Sequence, residues 1–158
     1  MPDSIISIAF ESADQADVMT LIAALDAYQH TLYPAASVYA LDLASVAQDQ
    51  LLLAVARDAQ GLALGCGALV LTASYAELKR MYVLPDQRGR GIAKGILAHL
   101  ENAAKKSDCT LMMLETGTQQ PQAQRLYAQA GYKVCAAFGT YPEDEFSVFM
   151  QKPLAAAS

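Results

Sequence analysis

A chain of 158 residues, 54% of them hydrophobic and 17% charged, has the make-up of one globular domain and excludes a disordered chain. The net charge of −5 argues against nucleic acid as the main partner, because a phosphate backbone would be repelled overall. No apolar run reaches membrane-spanning length and Met1-Pro2-Asp3-Ser4 is no basic leader, so a cytoplasmic protein with no membrane partner is expected.

Ser4 to Phe10 reads as a first strand, with Ile5, Ile6, Ile8 and Phe10 in loose alternation. Ser12 offers an N-cap with Gln15 at capping-box spacing, and Val18, Leu21, Ile22, Leu25 and Tyr28 give the apolar stripe of a helix ending before Pro34. Tyr28 to Pro34 reads as a polar-aromatic loop, and Leu41 to Gln48 as a second short helix. Leu51–Arg57, Leu62–Leu71 and Ser74–Val83 are three strands, the first two joined by an Asp58–Gly61 turn, and they predict an antiparallel meander. Ile92, Ile96, Leu97, Leu100 and Ala104 then stripe a helix from Gly91 to about Lys106, with Lys105 and Lys106 in its last turn.

Cys109 to Leu114 is nearly all apolar, the pattern of a strand covered on both faces. Strand, helix and strand across Leu78 to Glu115 make a βαβ unit, which implies a parallel pair and a right-handed crossover. Pro121 suits a first helical turn, Ala123, Leu126, Tyr127 and Ala130 make one face, and Gly131 stands at C′. Tyr132–Ala137 and Phe146–Gln151 are the last strands, around a loop at Gly139–Asp144. The order predicts an α/β domain: a mixed sheet with helices on both faces, formed by residues 1–153, with a frayed tail at 154–158. Cys66, Cys109 and Cys135 lie in predicted strand interiors without C-x-x-C spacing, so reduced thiols are expected and no metal site. His30 and His99 read as structural or solvated.

The chemistry is concentrated where the strand ending at Val83 passes through Pro85-Asp86-Gln87 into Arg88-Gly89-Arg90-Gly91-Ile92-Ala93-Lys94. The first amides of a helix have no intrahelical partner, and the macrodipole adds positive charge there. Gly89 and Gly91 admit a ligand close to the main chain, while Arg88, Arg90 and Lys94 add full charges. Such a loop suits a pyrophosphate. It lacks the G-x-x-x-x-G-K-[ST] of a P-loop and the G-x-G-x-x-G of a dinucleotide site.

Arg88, Gly91 and Ala93 fit R/Q-x-x-G-x-G/A, and this segment resembles the acyl-CoA loop of the GNAT N-acetyltransferase superfamily. A second stretch, Gln120 to Tyr127 followed by Gly131-Tyr132, resembles that family's N-x-x-A-x-x-L-Y-x-x-x-G-F/Y signature. Ala123, Leu126, Tyr127, Gly131 and Tyr132 match, and Gln120 stands where Asn is usual. The resemblance covers Leu51 to Lys152. It implies a mostly antiparallel central sheet of six to seven strands, with the parallel pair at its middle splayed apart to take acetyl-CoA. The pantetheine would bond main-chain groups around Met81, Tyr82 and Val83. The pyrophosphate would rest on Arg88 to Lys94, including the main chain of Ile92 and Ala93. Gln120, Ala123 and Tyr127 would flank the arm and its thioester.

Acetyl transfer to an amine needs a neutral amine, a stabilised oxyanion and a tolerated thiolate. Glu77, ahead of the loop on the motif strand, is the expected base through water, with Glu115 as an alternative base or a contact to a cationic acceptor. Glu77 could instead be the ion-pair partner of Lys79. Tyr127 is the expected proton donor to sulfur. Tyr28, Tyr33, Glu115 and Tyr141 are the expected acceptor pocket. A covalent cysteine route would need a thiol beside a His, so direct attack in a ternary complex is expected. Two further classes stand beside this reading: a nucleotide phosphotransferase, which lacks the Lys-Ser/Thr and metal carboxylates it would use, and a non-catalytic acyl-CoA sensor. The acceptor would be a small-molecule or peptide amine, and a homodimer is possible on family grounds.

Overall fold

The computed structural model of the chain describes residues 5–39 and 42–155. Seven strands form one sheet in the order β1-β2-β3-β4-β5-β7-β6, where β1 is Ser7–Phe10, β2 Leu51–Arg57, β3 Ala63–Leu71, β4 Ala76–Val83, β5 Leu111–Gly117, β6 Lys133–Cys135 and β7 Ser147–Pro153. The helices are α1 Ala16–Leu32, α2 Ile92–Lys106 and α3 Pro121–Gln129. Every strand pairing is antiparallel except β4 with β5, the two ends of the predicted βαβ unit. The expected meander is present. Its first turn is built by Asp58, whose Oδ1 accepts the Gln60 and Leu62 amides at 2.9 Å, with Gly61 at φ +86°.

Period-2 alternation sorts the strand side chains into two cores. Leu53, Val55, Cys66 and Ala68 face α1 and pack on Val18, Leu21 and Leu25. Ala54, Ala56, Leu69, Leu78 and Met112 face the other way, onto Ile96, Leu97 and Leu100 of α2 and Tyr127 of α3. Each fully buried leucine in these layers contributes about 2 kcal/mol of burial. Gly67 allows α2 to lie close: a Cβ built there would stand 2.8 Å from Ile96 Cγ2 and 3.3 Å from Leu100 Cδ1.

Several local expectations are corrected. Ser12 does not cap α1: its Oγ takes the Asp14 amide at 3.0 Å, and α1 starts from an extended Gln15 with no side-chain cap. The stretch from Tyr28 to Leu32 is the last turn of α1 rather than loop, because nothing breaks the helix until Pro34 forces Tyr33 to φ −132°, ψ 151°. The second short helix is replaced by single 3-10 turns at Leu43–Ser45 and Gln48–Gln50, with Asp42 Oδ1 holding only the Ala44 amide. Leu41 lies outside the described residues, as do Ser4 at the start of the first strand and 156–158 of the tail. A stretch that short does not offset helix nucleation. Cys109 precedes β5 instead of lying within it, and β5 runs on to Gly117. Leu154, expected in the frayed tail, is buried and gives its amide to Thr110 O at 2.8 Å.

The tight α2 contact yields a direct test. Gly67→Val forces Ile96 and Leu100 off their positions and should cost about 1–3 kcal/mol in denaturant unfolding, with unchanged secondary structure by circular dichroism.

Candidate active site

The parallel ladder between β4 and β5 holds only Ala76↔Met112, Glu77↔Met113 and Leu78↔Leu114, although β4 continues to Val83 and β5 to Gly117. The cause lies in β4. Ala68 pairs with Lys79 and Cys66 with Tyr82, so Gly67 alone faces both Arg80 and Met81: a β-bulge, with Arg80 at φ +56°. The extra residue resets the alternation. Tyr82 returns to the α1 face, Met81 and Val83 join the α2 face, and Arg80 meets Asp26 of α1, Nε to Oδ1 at 3.2 Å. Two strand edges diverge beyond the bulge, each lacking its ladder partner, and their main-chain groups are open to a ligand that pairs like a strand.

At the far end of the diverging edge, Gly91 caps α2 at φ +78° with no side-chain cap bond, and a Cβ on Gly89 or Gly91 would have nothing within 4 Å. The first amides of this 15-residue helix are thus open to an anion. Arg90 and Lys94 are exposed beside them, and Arg90 Nη1 hydrogen-bonds Gln87 Oε1. Arg88 is turned back: its Nε donates to Val83 O at 3.0 Å and its guanidinium lies 5.6 Å over the Tyr82 ring. Ile92 is buried and Ala93 half-buried against the core, which leaves their main chain for a ligand.

On the α1 face of the splay, two-residue spacing sets Glu77 and Lys79 of β4 beside Glu115 of β5. The Glu77 carboxylate is buried, accepts the Tyr141 hydroxyl at 2.5 Å and pairs with Lys79 Nζ at 3.0 Å. Lys79 Nζ also lies 2.5 Å from the Tyr141 hydroxyl. Burial first, and then the Glu77 charge, push the Tyr141 phenol far above its ordinary range. Glu115 has no ion-pair partner among the described residues. Burial raises its carboxyl to about 7, opposed by a 2.9 Å bond from Ser147 Oγ and by the Lys79 charge. A pocket opens there, lined by Tyr33, Tyr39, Lys79, Glu115, Tyr141 and Phe146.

Of the expected acceptor residues, the structure brings Tyr33, Glu115 and Tyr141 together. Tyr28 is 43% exposed and is not part of the pocket wall, which Gln29 lines instead. Gln120 lines the same pocket as Tyr33, which donates to its Oε1 at 3.1 Å and accepts the Gln119 amide at 3.0 Å. Tyr127 lies across the sheet in the α2 core. Its ring meets Tyr132 edge-on at 5.9 Å, its hydroxyl has no hydrogen-bond partner among the described residues, and burial raises its pKa. An unpartnered hydroxyl of that kind fits a ligand that would complete it. Sequence reading missed Tyr39, Phe146 and Ser147. Tyr39 gives its hydroxyl to Asp144 Oδ2 at 2.6 Å, a link between segments 105 positions apart that no local pattern signals.

Comparison with known proteins agrees with this geometry. Residues 18–132 match the family described as Acetyltransferase (GNAT) family. An IAA acetyltransferase of Azospirillum brasilense is 39% identical over 94% of this chain and 98% of its own length. The structure of a candidate acyl-CoA N-acyltransferase from Klebsiella pneumoniae superposes with TM-score 0.87 at 38% identity, over 97% of this chain and all of that one. PaiA N-acetyltransferase of Thermoplasma acidophilum, solved in complex with coenzyme A, shares the fold at TM-score 0.70 and 22% identity, over 94% of this chain and 99% of that one. The chain thus belongs to the GNAT family and is an acetyl-CoA-dependent N-acetyltransferase.

Proposed function

We propose that this enzyme acetylates a small-molecule primary amine in the pocket on the α1 face of the splay, with Glu115 taking the proton of the incoming ammonium. The observation that carries the reading is the ladder that stops at Leu78↔Leu114 while both strands run on, with Glu115, which has no ion-pair partner among the described residues, standing just past the break. The open main chain of Lys79 to Val83 and the α2 amides behind Gly91 would hold acetyl-CoA, which supplies an activated carbonyl and a thiol leaving group. Arg90 and Lys94 would add charge to the diphosphate end, whereas Arg88 holds the loop to Val83.

An alkylammonium titrates near 10, so only a small fraction is nucleophilic at neutral pH. Ser147 occupies Glu115 Oε2, which leaves Oε1 for the amine proton. In the net reaction the ammonium nitrogen loses two protons, the first to Glu115 and the second as it bonds the acetyl carbon; the carbon–sulfur bond breaks, one proton ends on the sulfur and the other passes from Glu115 to solvent. Tyr127 holds a proton at a hydroxyl with no hydrogen-bond partner among the described residues, and its raised pKa keeps that proton in place at neutral pH. Glu77 fits a positioning role better than the base: its carboxylate is engaged by Lys79 and Tyr141, and it fixes both side chains in the pocket wall.

Three measurements test this. The kcat/KM of the wild type should rise through pH 7 as Glu115 ionises, and Glu115→Gln should remove that limb and lower the rate about 10²–10⁴-fold. A pH profile unchanged in the variant would eliminate Glu115 as the base. The same group also bears on stability. Its folded pKa of about 7 lies above the unfolded value of about 4.3, so the penalty for its charge is absent below pH 4 and complete above pH 7. Glu115→Gln should therefore unfold at higher temperature than the wild type above pH 7, with a stability gain of at most about 4 kcal/mol that is gone near pH 4. Gly91→Asp places a carboxylate and a strained φ at the helix start, and calorimetry should show acetyl-CoA binding weakened roughly tenfold or more. Undiminished affinity would move the diphosphate away from α2.

A further inference from the structure

We infer that the acceptor is a compact monoamine, and that the pocket discriminates against amines carrying a carboxylate or phosphonate. The inference rests on the pocket being the acceptor site, as proposed above, and it comes from a count of which charges there are already matched. Two cations line the pocket, and both are paired. Lys79 Nζ is 3.0 Å from Glu77 Oε2 and bonded to the Tyr141 hydroxyl, and Arg80 Nε is 3.2 Å from Asp26 Oδ1. Both side chains are largely buried, at 13% and 9% exposure; Lys79 cannot swing out to a new anion without leaving the buried Glu77 carboxylate behind, and Arg80 would have to give up the half-buried Asp26. The carboxylate of Glu115 is different. It accepts one neutral hydrogen bond from Ser147 and has no ion-pair partner among the described residues.

A cation entering this pocket completes Glu115, whereas an anionic group on the acceptor meets Glu115 as a like charge and finds no available counter-ion. The walls add to the preference. Tyr39 and Tyr141 meet edge-to-face at 5.7 Å, and Tyr33 and Phe146 lie 6.1 Å apart, so aromatic rings surround the place an ammonium would take beside Glu115. A polyamine would need a second open carboxylate. Glu77 is taken by Lys79, and both oxygens of Asp144 are engaged, Oδ2 by the Tyr39 hydroxyl at 2.6 Å and Oδ1 by the Phe146 amide at 2.8 Å.

The test uses matched acceptors on the whole enzyme at saturating acetyl-CoA, with thiol release as the readout. 2-Phenylethylamine and phenylalanine differ only by the carboxylate, and the amine should be favoured in kcat/KM by roughly a hundredfold, with spermidine and aminomethylphosphonate also poor. Glu77→Gln releases Lys79 from its partner, and the ratio between the matched pair should then shrink roughly tenfold, with the acetyl-CoA Kd by calorimetry unchanged. Equal or better use of phenylalanine, aminomethylphosphonate or spermidine by the wild type would overturn this inference alone. A ratio unmoved in a folded Glu77→Gln enzyme would overturn the charge argument. No turnover of any amine, in an enzyme that still binds acetyl-CoA, would remove the proposed function and this inference together.

Discussion

Two parallel strands paired along only three residue positions leave a wedge of main-chain donors and acceptors that water or a ligand must satisfy. In this protein the wedge is imposed by one extra residue. Arg80, in a left-handed conformation that costs a non-glycine residue about 1 kcal/mol, makes Gly67 face two residues and bends β4 away from β5. The surrounding structure over-determines that strained residue. Its guanidinium is pinned to Asp26 of α1, and its carbonyl accepts the Cys66 thiol at 3.4 Å. Cys66 is thereby explained as a buried bulge contact; burial drives its pKa up to about 12, which removes thiolate chemistry from consideration.

The bulge also decides which charges enter the pocket. Without it, strict alternation would place Arg80 toward α2, inside the apolar layer of Leu69, Ile96 and Leu100. With it, Lys79 and Arg80 both reach the α1 side, where Glu77 and Asp26 neutralise them. Buried ion pairs of this kind add little net stability, because desolvation offsets most of the attraction. Their consequence here is electrostatic: they leave Glu115 as the unmatched charge of the wall. A carboxyl held near 7 in a pocket is a destabilised group in a folded protein, and a poised proton acceptor at neutral pH.

The parts legible in the sequence are those that local chemistry dictates. The Arg88–Lys94 loop, the α2 stripe, Pro121 and Gly131 around α3 and the Asp58–Gly61 turn each carry their signal within a few residues, and all lie where expected. The splay followed from a family resemblance, not from any residue pattern: αL at an arginine is invisible to propensity, and Gly67 reads equally well as a packing glycine. Boundaries failed where tertiary contacts overrode local signals. Ser12 and Gln15 have capping-box spacing, yet Arg57 draws Glu11 and Asp17 together across β2, and the helix starts from that cluster instead. The roles of Glu77 and Glu115 could not be separated in one dimension, because both stand at like positions on adjacent strands and differ only in what reaches them across the fold.

That distant reach also joins the two halves of the site. Tyr33, at the end of α1, lays its hydroxyl against the main chain where β5 leads into α3, bonded to the Gln119 amide and the Gln120 side chain. The contact exists because residue 117 is glycine: a Cβ there would stand 1.9 Å from the Tyr33 hydroxyl. Gln124 Nε2 meanwhile donates to Gly117 O at 2.8 Å, so α3, β5 and α1 meet at one backbone position. The acceptor-side helix and the helix carrying Tyr127 are thus registered to each other through the end of β5, the strand that also carries Glu115. Glu115 and Tyr127 lie on opposite faces of the splayed sheet, and a shared backbone anchor is what fixes their separation across the cleft.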